Sequence, residues 1–154
     1  MGFFDKLMGI GTQQTADMKK KIAEIFAEHV EGGESYTTFA AYYMLTTKKL
    51  LKEIRTFYNY IIGYKDGDDP EAVVIAVSED LDSIGGPVRC RKSECSKAGV
   101  GANGMFYIKH SGLDGGGIDF TVIVTKAAGA HMIDVNYVEE FQQIMEFFQN
   151  RFTK

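Results

Sequence analysis

Tyr36-Thr37-Thr38-Phe39-Ala40-Ala41-Tyr42-Tyr43-Met44-Leu45-Thr46-Thr47-Lys48-Lys49-Leu50-Leu51-Lys52-Glu53-Ile54-Arg55-Thr56-Phe57-Tyr58 is the stretch on which the fold turns. Tyr36, Phe39, Tyr43, Leu50, Ile54 and Phe57 can be laid on one helical stripe. The same residues can also form two strands. Tyr36-Thr37-Thr38-Phe39 and Thr56-Phe57-Tyr58-Asn59-Tyr60-Ile61-Ile62 are rich in β-branched and aromatic side chains, which fit a pleated surface better than a helix. Two strands joined around Thr46 to Lys49 are therefore favoured, with the helix kept open as the alternative for residues 36–58.

Downstream the signals sharpen. Asp66-Gly67-Asp68-Asp69-Pro70 is a turn cluster between two strand-like runs, the second being Ala72 to Val77, which stops at Ser78-Glu79-Asp80. Past the Gly85-Gly86-Pro87 breaker, Val88-Arg89-Cys90-Arg91 alternates apolar and basic, as a half-exposed strand does. Met105 to His110, a Gly-rich loop from Gly112 to Gly117 and Ile118 to Val124 predict a further hairpin, and His131-Met132-Ile133-Asp134 one more short strand. Asn136 and Glu139 have capping-box spacing ahead of the stripe Val138, Phe141, Ile144, Met145, Phe148 and Phe152, which predicts a closing amphipathic helix.

Upstream, a short head ends near Gly11, and Thr15 is the expected N-cap of a helix with Asp17 in its first turn. Met18, Ile22, Ile25, Phe26 and Val30 follow helical spacing opposite Lys19, Lys20, Lys21, Glu24 and Glu28, and Gly32-Gly33 ends the run. Residues 1–33 thus read as head and helix, and 34–154 as the body of one unit.

The resulting class is α+β: an N-terminal helix, about seven antiparallel strands and a C-terminal capping helix. This order resembles the bacterial pleckstrin-homology-like families, over roughly Tyr36 to Phe152. The resemblance rests on the run from Met105 to Val124, the His131 to Asp134 link and Asn136-Tyr137-Val138-Glu139-Glu140-Phe141. It implies a strongly bent sheet plugged at one end by the last helix, serving as a binding or scaffolding module without a cofactor. The tryptophan common in the closing helix of eukaryotic members is missing, and no dense basic cluster matches their phosphoinositide-binding loop. Lys48, Lys49, Lys52 and Arg55 fall near that place and hint at anion binding.

Composition narrows the function classes. At 154 residues, 45% hydrophobic and 25% charged, the chain can bury its own core and is not a disordered polymer. A net charge of -4 argues against nonspecific nucleic-acid binding, which needs a basic face to release counterions from phosphates. The longest clear apolar run, Ala72 to Val77, is far short of a bilayer span, and the first residues do not read as a secretory signal. A cytoplasmic location, with weak contact to a membrane surface as a variant, is the expectation.

Several local patterns invite chemistry and are better read otherwise. Gly99-Val100-Gly101-Ala102-Asn103-Gly104 spells the dinucleotide-loop letters, but a strand follows where that motif needs a helix N-terminus. Cys90 and Cys95, with His110 or His131, could in principle hold a metal, yet Cys90 beside Val88 reads as a buried core thiol. Asp66, Asp68 and Asp69 lack the spacing of a calcium loop and read as solvated turn acids. No nucleophile elbow, Walker loop, zinc-protease helix or kinase set occurs, so no catalytic residue is named.

The candidate binding residues are Arg89, Arg91 and Lys92 on the fourth strand and Lys48, Lys49 and Lys52 at the first hairpin, with Phe3, Phe4, Leu7 and Met8 of the head as possible membrane contacts. Charge on Arg89 and Arg91 also suits an edge strand guarded against aggregation. The expected function is non-catalytic binding of a protein partner or of the chain's own copies. The alternatives are a peripheral protein on anionic lipid, and a small-ligand carrier or enzyme whose cavity would be lined by Tyr and Phe.

Overall fold

In a computed structural model, which describes residues 3–154 and the side chains from Gln13 onward, the deciding stretch is a β-hairpin. The elements are α1 (Phe3–His29), β1 (Thr37–Lys49), β2 (Lys52–Lys65), β3 (Glu71–Val77), β4 (Val88–Arg91), β5 (Lys97–Val100), β6 (Phe106–Lys109), β7 (Gly117–Val122) and α2 (Phe141–Glu146). The strands form one antiparallel sheet in the order β4-β3-β2-β1-β7-β6-β5. This is the expected α+β class, with a helix at each end of a seven-stranded sheet.

The sheet curls because β1 belongs to both halves. It pairs with β2 along its whole length but with β7 only at Ala41–Val122 and Tyr42–Thr121. The two halves therefore close over one face, where Phe39 of β1 meets Phe120 of β7 at 6.1 Å between ring centroids and Phe148 edge-on at 6.3 Å. Phe106 and Phe120 stack at 5.2 Å, and both meet Phe148 edge-on, so Phe148 is the plug of the curled sheet. Such pairs add roughly 0.5–1.5 kcal/mol beyond the area they bury.

On the other face of the same hairpin lies α1. Ile22, Phe26 and Val30 are buried at spacings of four residues, as the helical stripe requires. Phe26 sits directly over Gly63 of β2: a Cβ there would stand 2.2 Å from the Phe26 ring. Glycine at this strand position is explained by the close approach of another element rather than by a turn. The helix ends at His29, and the chain turns away at Gly32, whose φ of 69° is left-handed.

Four local expectations are corrected. Thr15 is no N-cap: α1 is already under way at Phe3, and Thr15 Oγ1 instead accepts a hydrogen bond from the Asn136 amide at 2.8 Å. Sequence alone favoured a break near Gly11, but an isolated glycine costs a helix only about 1 kcal/mol, too little to end it. The first hairpin turns at Leu50-Leu51, slightly beyond the Thr46 to Lys49 joint. His131 to Asp134 is unpaired with any strand, because its backbone is held by a side chain: Asn59 Nδ2 donates to His131 O and Asn59 Oδ1 accepts from Ile133 N. The seventh strand is instead β5, which pairs with β6.

The capping box also fails. Asn136 Oδ1 accepts from Val138 N, closing a small turn, while α2 begins at Phe141 and Val138 is exposed. After Glu146 the helix widens into a π turn over Phe147–Arg151, with Phe152 N donating to Phe147 O. This wider turn keeps Phe147, Phe148 and Phe152 all buried.

Gly63→Ala is expected to destabilise the fold by about 1–3 kcal/mol by driving a methyl group into Phe26. Chemical denaturation measures this; an unchanged midpoint would mean that α1 does not rest on β2 as described.

Candidate functional site

The long hairpin outruns the sheet that supports it. β7 leaves β1 after Tyr42, and β3 leaves β2 after Asn59. Seven further pairs, from Tyr43–Tyr58 to Lys49–Lys52, then project as a two-stranded arm. At about 3.3 Å per residue the arm is roughly 20 Å long. Every residue from Met44 to Thr56 is exposed, and both outer edges offer unpaired backbone groups.

Cross-strand pairing sorts the arm's side chains onto two faces. One carries Tyr43, Leu45, Thr47 and Lys49 with Lys52, Ile54, Thr56 and Tyr58; the other carries Met44, Thr46 and Lys48 with Glu53, Arg55 and Phe57. The second face is covered only at its base, where residues Ala127 to Met132 approach Met44 and Phe57, and Phe57 meets the His131 ring edge-on at 5.9 Å. The tip is Leu50-Leu51, both fully exposed, with Leu50 held at φ 53°. A left-handed leucine is strained by about 1–3 kcal/mol, where glycine or asparagine would be relaxed.

The first face of the arm runs into a groove at the open end of the curled sheet, opposite the Phe148 plug. Its volume is about 930 Å³, and Tyr43, Tyr58, Tyr60, Leu113, Asp114 and Asp119 are among its walls. Tyr43 and Tyr58 stack across the strands at 6.3 Å. Burial, the neighbouring tyrosines and the charges of Asp114 and Asp119 push the Tyr60 hydroxyl above its ordinary pKa. The groove is thus aromatic with negative potential, a surrounding that favours a cation.

The predicted basic residues fall into two separate places. Lys48, Lys49 and Lys52 stand at the arm tip, and no carboxylate of the described residues lies within 4.0 Å of them; Arg55 pairs with Glu53 at 3.0 Å. Arg89 and Arg91 lie on one face of β4, an edge strand, and both reach across to Glu71 of β3 at 3.6 and 3.7 Å. Glu71 also accepts a hydrogen bond from the Tyr36 hydroxyl, so those arginines are engaged within the fold. Lys92 follows in a short 3-10 turn, its amide donating to Pro70 O. Phe3, Phe4, Leu7 and Met8 belong to the first turns of α1, whose side chains lie outside the described residues.

The turn acids do more than meet solvent. Asp66 takes two contacts from Arg151 Nε at 2.9 and 3.1 Å, and Asp69 accepts from Ser93 N and Oγ; both carboxyls are held below the ordinary aspartate pKa by these hydrogen bonds. Gly99 to Gly104 forms the end of β5 and the turn into β6, closed by Gly101 N to Met105 O and Gly104 N to Gly101 O. No group of three His, Cys, Asp or Glu side chains able to hold a metal occurs among the described residues.

The features that sequence reasoning missed are the Leu50-Leu51 tip and the gathering of Tyr43, Tyr58, Tyr60, Asp114 and Asp119 around one groove. The first had a signal, since two adjacent leucines follow directly on the expected Thr46 to Lys49 joint and break the polar rule for turns. The second joins residues far apart in sequence and had none.

Cys90 and Cys95 are both buried, and desolvation pushes their thiols up to about 12 and about 11. Since the thiolate is the reactive form, neither is expected to react with a thiol reagent at pH 8 in the native protein, while both react in denaturant; rapid native labelling would contradict the burial. No protein-family model matches the chain, and comparison with curated proteins and with solved structures finds no match.

Proposed function

We propose that the chain is a non-catalytic, pleckstrin-homology-like binding module whose docking element is the β1–β2 arm, and that it docks on protein. The observation that carries this is the arm's lack of support: seven rungs stand beyond the last strand that pairs with them. A lone two-stranded ribbon is marginal in water, and it gains most from an occupant that covers a face or extends an edge. Met44, Leu45, Ile54 and Tyr58, all 40–46% exposed, supply apolar surface on both faces for such an occupant.

A second reading rests on the tip alone. Leu50 and Leu51, flanked by Lys48, Lys49 and Lys52, have the chemistry of shallow insertion into an anionic lipid surface. Burying two leucines contributes roughly 1.5–3 kcal/mol each, and each lysine near such a surface about 1 kcal/mol. No described helix is long and apolar enough to cross a membrane, so this attachment would be peripheral.

The test is a chain in which residues 45–56 are replaced by Asn-Gly, closing the hairpin at Met44 and Phe57. Because the removed residues lie outside the core, its thermal midpoint is expected to match that of the full chain, while complex formation with protein is lost. Complexes surviving this deletion would refute the arm as docking element. Leu50→Ser/Leu51→Ser abolishing flotation with anionic vesicles, with protein complexes intact, would favour the lipid reading instead.

A further inference from the structure

We infer that the occupant of the arm is the arm and groove of a second copy of this chain, joined about a two-fold axis. This rests on the docking role of the arm given above and adds its partner and register. The chain carries both halves of a complementary pair. The arm's groove-side face ends in Lys49 and Lys52, directly opposite one another, and like charges so placed repel unless an acid or an aromatic face meets them. The groove supplies both in Asp114, Asp119, Tyr43, Tyr58 and Tyr60, and neither aspartate is within 4.0 Å of a cationic group among the described residues.

The register follows from the pleat. Rows of side chains on one face are spaced by about 6.7 Å, so the Lys49–Lys52 row lies three rows, roughly 20 Å, beyond the Tyr43–Tyr58 row. When two arms lie antiparallel with these faces together, Lys49 and Lys52 of one copy fall over Tyr43 and Tyr58 of the other, beside its Asp114 and Asp119. The same offset sets the Leu45–Thr56 row of one copy against the Thr47–Ile54 row of the other, near the axis, so that Leu45 and Ile54 meet on the diagonal. One superposition therefore satisfies the cations, the tyrosine faces and the exposed apolar residues of this face. Because each copy gives an arm and receives one, the contact closes on itself as an isologous dimer rather than a filament.

Sedimentation equilibrium on the full chain from ~1 µM to ~100 µM, a range in which interfaces of modest size assemble, reads the mass directly. The expected result is a monomer–dimer equilibrium weakened at least tenfold in Lys49→Glu/Lys52→Glu, and equally in Asp114→Lys/Asp119→Lys. Mixing these two variants is expected to restore the dimer, since each then meets the opposite charge at both contacts. A wild type that stays monomeric, variants that associate as the wild type does, or a mixture without recovery would each overturn the second-copy assignment. The arm reading fails separately: it falls if the chain lacking residues 45–56 keeps the complexes that the full chain makes, a self-dimer included.

Discussion

The pairing of β1 with β2 is the constraint on which the remaining structure depends. Its sheet-bound half is sandwiched, with α1 on one face through Phe26 over Gly63, and Phe148 on the other through Phe39. The curl of the sheet, the seat of the last helix and the position of α1 all follow from this half of the hairpin. Its outer half has no such neighbours, yet it keeps the same ladder for seven more pairs. A chain that needed β1 and β2 only to enclose a core could stop at Tyr43 and Tyr58. The extra rungs, and a strained leucine at their tip, are covered inside the monomer only at the base of the arm, which is the ground for the contact proposed outside it.

Much of the architecture was legible in residue pattern. Strand signals as strong as Ala72 to Val77 and Ile118 to Val124 combine β-branched composition with nearby turn residues, and both emerge as strands, the first as Glu71–Val77 and the second as Gly117–Val122. The Tyr36 to Tyr58 stretch was legible as strand because its Thr and Tyr clusters outweigh a helical stripe that any spaced set of aromatics can imitate. The expected number of strands also holds, but through two offsetting misreadings. β5, Lys97 to Val100, is short and contains Gly99, which conceals it; His131 to Asp134 has strand-like residues, but Asn59 takes the hydrogen bonds a neighbouring strand would supply.

The helix termini were the least legible, for a physical reason. Thr15 and Asn136 are good capping residues, and the fold uses both as hydrogen-bonding side chains, but not to start helices. Side-chain capping contributes about 1 kcal/mol, which tertiary contacts readily override. As for the site, the lysines at the first hairpin were visible in sequence, whereas the aspartates and tyrosines of the groove come together only when β1, β2, β7 and the loop before β7 are assembled. Arg89 and Arg91 show the converse: a basic pair conspicuous in sequence is drawn to Glu71 by the fold.

As proposed, the arm is ordered by an occupant, and the occupant is another copy. Amide hydrogen exchange, resolved to peptides and repeated across protein concentration, addresses this directly. Amides of residues 44–57 are predicted to exchange rapidly in dilute protein and to become protected as concentration rises, while those of residues 59–65, held by β3 and α1, stay protected throughout. Protection of the arm that is the same at every concentration, whether strong or absent, would contradict the account.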